Sequence, residues 1–110
     1  MRCYLIDEIP SADIEKIDTF LREHATGSAL ERLYWVKIPA EFLNGIQVRH
    51  KGCHPFVFAI ELGPDRIRME FFIRSLKTLQ CDCQSYCTPE QRAFIFDYSE
   101  KLLEDLGIGT

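Results

Sequence analysis

The chain has 110 residues, 46% hydrophobic and 27% charged, with its Gly and Pro scattered. That composition belongs to a single globular domain and excludes a disordered or low-complexity chain. A net charge of −4 and a pI near 5.3 argue against non-specific nucleic-acid binding, which needs a surplus of Lys and Arg on one surface.

Residues 1–110 are read as one domain, long enough to bury roughly two-thirds of its unfolded surface without metal or disulfide. No run approaches the ~20 apolar residues of a membrane span, and Met1 to Glu8 lacks the basic and apolar regions of a secretory signal. A cytoplasmic protein without a membrane partner is therefore expected. The five cysteines are an odd number, so reduced thiols are expected rather than a disulfide framework.

Residues 2–6 read as a short strand, rich in the β-formers Tyr4, Leu5 and Ile6, and ended by Pro10. Ser11 is placed to cap a following helix, with Asp13 and Glu15 in its first turn where the helix dipole favours negative charge. Ile14, Ile17, Phe20, Leu21 and His24 recur at spacings of three and four, predicting an amphipathic helix over residues 12–25 with Gly27 beyond it. His24 would close that helix. Residues 33–38 form a second strand that stops at Pro39. Residues 40–51 carry a weaker helical pattern through Phe42, Leu43, Ile46 and His50, which Asn44-Gly45 splits into two short turns.

The strongest pattern follows. Phe56, Phe58, Ile60 and Leu62 alternate with Val57, Ala59 and Glu61, and after Gly63-Pro64-Asp65 the alternation resumes as Ile67, Met69, Phe71 and Ile73. Requiring the apolar residues to share a face pairs Leu62 with Ile67, Ile60 with Met69, Phe58 with Phe71, Glu61 with Arg68 and Val57 with Phe72. A third run sets Leu79, Cys81 and Cys83 against Gln80, Asp82 and Gln84. It is expected to lie beside the second, with Phe71 beside Cys81 and Met69 beside Cys83, which puts Asp82 next to Glu70 as a solvated carboxylate pair. Thr88-Pro89-Glu90-Gln91 combines a Thr cap, Pro at the first helical position and Gln at the third, predicting a terminal helix that buries Phe94, Ile95, Tyr98, Leu102 and Leu106 and ends at Gly107.

The fold class that follows is α+β. A mainly antiparallel sheet of four or five strands carries two amphipathic helices in the order β-α-β-short helix-β-β-β-α, as a two-layer sandwich. If the first strand, the first helix and the strand at residues 33–38 form a βαβ unit, those two strands run parallel.

Residues 81–87, Cys-Asp-Cys-Gln-Ser-Tyr-Cys, are the one dense chemical constellation, with His50, Cys53 and His54 upstream. Thiolates and imidazoles suit zinc or an iron-sulfur cluster, which makes Cys53, His54, Cys81, Cys83 and Cys87 metal-ligand candidates. Paired C-x2-C knuckles are missing. In a regular strand, residues two apart are about 6.6 Å from each other, while sulfurs on one tetrahedral ion are about 3.8 Å apart. Chelation by both Cys81 and Cys83 therefore demands a knuckle. Without one, both are core packing at alternating positions, and no cofactor is expected. Cys87 precedes the cap of the terminal helix, whose dipole would lower its pKa; with His54 or Cys53 nearby it is the candidate nucleophile of a thiol enzyme. No C-x-x-C or nucleophile signature accompanies it. The leading expectation is a non-catalytic binding or accessory module. It would meet a protein partner or a second copy of itself through an edge strand or an outer sheet face bearing Val57, Phe72 and Trp35.

Overall fold

The computed structural model describes residues 2–78 and 80–109. The fold is α+β, with every strand pairing antiparallel: β1 (Cys3–Ile6), α1 (Ser11–His24), β2 (Thr26–Gly27), β3 (Leu33–Lys37), α2 (Gly45–Arg49), β4 (Phe56–Leu62), β5 (Ile67–Glu70), β6 (Phe72–Ser75), β7 (Ser85–Tyr86) and α3 (Pro89–Asp105). Single 3₁₀ turns at Ala40–Phe42 and Lys51–Cys53 flank α2. The sheet runs β1-β5-β4-β3-β2, and β6 pairs with β4 and β7. Two strands separate β1 from β3, and successive antiparallel pairings make them antiparallel to each other. The parallel βαβ unit considered for β1, α1 and β3 is therefore not formed.

The alternation of β4 sets the layers. Phe56, Phe58, Ile60 and Leu62 face Tyr34, Val36, Ile67, Met69 and Ile73, and onto this face pack Ile14, Ile17 and Leu21 of α1 and Ile95, Leu102 and Leu103 of α3. Removing each such side chain from water is worth roughly 1.5–3 kcal/mol. On the other face Val57 and Ala59 are also buried: Lys37 and Arg74 flank Val57, and Trp35 lies opposite Ala59. The expected outer apolar patch is thus partly roofed by its own long side chains. The Arg74 guanidinium lies 4.9 Å from the centre of the Phe72 ring, and Trp35 and Phe72 are half-buried.

The first hairpin has the register that shared-face reasoning requires, with Ile60 opposite Met69, Glu61 opposite Arg68 and Leu62 opposite Ile67. Further along, the expected pairing of Val57 with Phe72 is replaced by Val57 with Arg74 and Phe56 with Ser75, a slip of two residues. The cause is Phe71, a bend between β5 and β6. Its N–H donates to the Arg2 carbonyl and its own carbonyl accepts from the Cys87 N–H. The strand therefore changes edge partner there, from β1 to β7, and the residues absorbed shift the register.

At α1 the residue outside the first turn is Pro10, with φ −57° and ψ 146°, and no side chain caps the helix; Ser11 is the first helical residue rather than the cap. The helix also buries Asp18, which accepts hydrogen bonds from the Tyr34 hydroxyl and the Arg22 guanidinium. By contrast α3 is capped as its sequence requires. Thr88 and Gln91 form the reciprocal capping box, Pro89 occupies the first turn, and Gly107 follows the helix at φ 71°, a conformation that glycine adopts without a Cβ clash.

Candidate metal centre

Two irregular segments meet at the end of the sheet where β4 begins. In the first, Asn44 accepts from the Gln47 N–H while the Gln47 side chain accepts from the Asn44 N–H, so a capping box starts the five-residue helix α2. The helix stops at His50, whose φ −88° and ψ 66° leave the helical region. The chain then turns through Lys51–Cys53, with the Cys53 N–H donating to the His50 carbonyl at 3.0 Å. This sharp exit carries His50 and Cys53 to one side.

The second segment contains Cys81 and Cys83, and it is not the third meander strand that the alternation predicts. Residues 82 and 83 form a turn, closed by the Gln84 N–H donating to the Cys81 carbonyl at 3.2 Å. Leu79, the first member of that alternation, lies outside the described residues. The ladder with β6 begins only at Ser85, opposite Ile73. A physical reason is visible at the ladder's edge: the Ser75 N–H, which a longer strand would pair with a backbone carbonyl, donates instead to Gln84 Oε1 at 2.8 Å. The expected neighbours Phe71–Cys81, Met69–Cys83 and Glu70–Asp82 give way accordingly. Met69 lies opposite Tyr4 and Ile60, and Glu70 lies opposite Cys3, with the Glu70 carboxylate paired to Arg74 at 3.2 Å; Asp82 is exposed in its turn.

The consequence is a cluster of four donors. The ligating atoms of His50, Cys53, Cys81 and Cys83 all lie within 4.8 Å of one another, and His50 Nδ1 is 3.1 Å from Cys81 Sγ. Sulfurs bound at about 2.3 Å to one tetrahedral ion are about 3.8 Å apart, so closing the cluster onto an ion takes shifts of about 1 Å or less. In the metal-free chain the thiols are sharply differentiated. Hydrogen bonds from the Cys83 amide and thiol, joined by His50 and Cys53, bring Cys81 down to about 7. Burial, reinforced by the neighbouring Cys81 and Cys53 thiols, pushes Cys83 up to about 12. A backbone amide donating to a cysteine sulfur at a tight turn favours the thiolate, which is the form that binds metal.

The backbone around the donors is held from outside, as metal ligands require. Gln47, completely buried, donates through Nε2 to the Cys83 carbonyl at 3.1 Å. The Ser75 hydroxyl donates to the Cys53 carbonyl. Gln91, also completely buried, donates through Nε2 to Gln47 Oε1 at 2.8 Å and to the Phe42 carbonyl at 3.0 Å. The third residues of the two capping boxes are thus bonded to each other, which ties the donor-bearing segments to the start of α3.

The other residues singled out from sequence lie elsewhere. His54 Nε2 faces the Gln47 carbonyl at 2.9 Å, outside the four-donor cluster, so the upstream histidine in the cluster is His50. The H-x2-C spacing of His50 and Cys53 was the available signal. Cys87 lines a separate cavity of about 320 Å³ with Pro89, Arg92, Ala93 and Phe96. Burial pushes its thiol up to about 11 against the opposing pull of Arg92. Cys3 is exposed on β1. Comparison of the chain with protein-family models, with curated proteins and with solved structures finds no significant match.

Proposed function

We propose that this protein is a small metal-anchored binding module holding one zinc ion through His50, Cys53, Cys81 and Cys83. The observation that carries the reading is the convergence of those four donors, from two segments far apart in sequence, to within 4.8 Å of one another. Three thiolates and one imidazole drawn that close frame a single soft, tetrahedral ion and not the multi-atom core of an iron-sulfur cluster. Four protein ligands close the coordination shell and leave no position for water or substrate, so the ion acts structurally and the module works by binding. Its working surface is the rim of the centre. There Ile46, Val48 and Leu76 are exposed among the exposed cations Arg49, Lys51 and Lys77, a mixture suited to an acidic, partly apolar protein segment.

Elemental mass spectrometry of protein purified without a histidine tag tests the metal. The expected result is near-stoichiometric zinc, lost in Cys81→Ser and Cys83→Ser and retained in Cys87→Ser. Cobalt(II) substitution should give the intense visible absorption of a tetrahedral thiolate site. A protein that takes up neither ion overturns the reading. For the surface, Arg49→Glu with Lys77→Glu should leave zinc content unchanged and weaken binding of a synthetic peptide of alternating Glu and Leu; equal binding by both proteins would remove the rim as the interface.

A further inference from the structure

The sulfurs that define the centre are also close enough to be joined. Those of Cys53, Cys81 and Cys83 lie within 4.8 Å of one another, and a disulfide holds its sulfurs at about 2.05 Å, so any pair has less than 3 Å to close. The three are not equivalent. Cys83 is 1% exposed within the core, whereas Cys53 and Cys81 are half-buried and reachable by a small solute. Cys53 ends a 3₁₀ turn and Cys81 precedes the turn at residues 82 and 83, so neither belongs to a strand ladder that would hold its backbone back. A Cys81–Cys83 bridge would instead span one intervening residue across a turn already closed by a hydrogen bond, far from the relaxed disulfide geometry. Cys3 and Cys87 stand outside the cluster.

We infer that the centre is a peroxide-sensitive zinc switch, in which hydrogen peroxide joins Cys53 to Cys81 and releases the ion. The inference rests on the zinc reading above. In the first step the Cys81 thiolate attacks peroxide: an S–O bond forms, the O–O bond breaks, and hydroxide leaves to take a proton and become water. In the second the Cys53 thiolate attacks that sulfur: the S–S bond forms, the S–O bond breaks, and a second hydroxide leaves to be protonated. The two sulfurs lose two electrons and the peroxide gains them. Only His50 and Cys83 remain as donors, and two ligands do not retain zinc against solvent. The new bond spans the same two segments that the ion spanned, so the oxidised chain keeps its fold while losing its metal, and a thiol reductant with zinc reverses the change.

The test uses the full chain loaded with zinc and checked for content before oxidant is added. Hydrogen peroxide is then added in the presence of a chromophoric zinc chelator, followed by non-reducing peptide mapping. The expected result is release of about one zinc per disulfide formed, a Cys53–Cys81 linked peptide, and reloading after reduction. The Cys3→Ser, Cys87→Ser double variant should respond at the same rate, because neither thiol takes part. Zinc retained while Cys3 or Cys87 is oxidised overturns the switch, as does release accompanied by a disulfide other than Cys53–Cys81. A chain that fails to take up zinc at the loading step overturns the zinc reading, and the switch falls with it; a chain that loads but resists peroxide overturns the switch alone.

Discussion

The two buried glutamines allow the link between the proposed metal centre and α3 to be measured. Gln47 makes three hydrogen bonds through its side chain: Nε2 donates to the Cys83 carbonyl at 3.1 Å, and Oε1 accepts from the Asn44 N–H at 3.1 Å and from Gln91 Nε2 at 2.8 Å. At about 1 kcal/mol net per bond, with a further cost for the orphaned Cys83 carbonyl, Gln47→Ala should destabilise by roughly 3–5 kcal/mol. Gln91 accepts from the Thr88 N–H and donates to the Phe42 carbonyl as well as to Gln47, so Gln91→Ala should cost roughly 3 kcal/mol. The shared bond is lost only once in the double variant. The double cost should therefore fall below the sum of the singles by about 1 kcal/mol. Urea unfolding in excess zinc, which on the proposed reading adds stability by mass action and keeps the weakest variant folded, supplies the four numbers. Any effect of Gln47 on the metal that does not involve Gln91 cancels in the cycle. Strictly additive costs, or single costs below about 1 kcal/mol, would refute the argument that these amides couple the two regions.

Four further outcomes follow from local geometry. With Cys87 pushed from the ordinary thiol value of 9.0 up to about 11 by burial, its thiolate population at neutral pH is about 100-fold below that of a free thiol, and iodoacetamide should modify it correspondingly slowly; a rate at or above that of a small free thiol would contradict this. Because the folded value is raised, the protonated thiol's contribution to stability is complete below about pH 9 and should fade as pH climbs from 9 towards 11, visible in the pH dependence of unfolding for native protein against Cys87→Ala. Tyr34→Phe removes the hydroxyl that donates to buried Asp18, leaving that carboxylate with Arg22, and should cost about 1–3 kcal/mol in a urea titration. Thr88→Ala deletes the acceptor of the Gln91 N–H, 3.2 Å away, and should lower stability by about 1 kcal/mol, a fall of roughly 4 °C in the thermal midpoint.

The sequence patterns that announced themselves correctly were those in which one local rule acts alone. Alternation through Phe56 to Leu62 and Ile67 to Met69 set the first hairpin's register, because a one-residue slip would turn every apolar side chain to solvent. The Thr88-Pro89-Gln91 arrangement set the start of α3, because three independent capping requirements coincide there. The errors arose where a local pattern competed with a distant partner. Cys81 and Cys83 alternate with polar residues as a strand would, yet Gln84 and Gln47 supply the hydrogen bonds that bend the segment; a glutamine reaching across the fold has no signature in its own neighbourhood. The same holds for Phe71, whose change of edge partner depends on Arg2 and Cys87. Asp18 on the buried face of α1 is not among the residues singled out from sequence, and it accepts there from the distant Tyr34 hydroxyl. At Cys87 burial raises the thiol while Arg92 pulls it down, and a burial effect of that kind is not legible in the flanking residues.

Where the donors lie explains why a domain of this size would use a metal. Most of the core joins α1 and α3 to the inner sheet face, and that part of the fold should not depend on the proposed centre. The donor-bearing segments are different: α2 has five residues and the turn after it three, helices far too short to stand alone, while residues 82 and 83 form an isolated turn. Apart from Cys83, these segments bury little that is apolar. A zinc ion joining them, as proposed, would supply at one point what an apolar interface would otherwise spread over many side chains. Chelation should therefore act regionally. Hydrogen exchange of the metal-free protein should rise sharply at residues 45–54 and 80–86, while β4, β5 and the middle of α3 keep their protection. Uniform loss of protection would mean that the ion holds the whole fold. No change anywhere would mean that the hydrogen bonds of Gln47, Ser75 and Gln84 shape these segments without it.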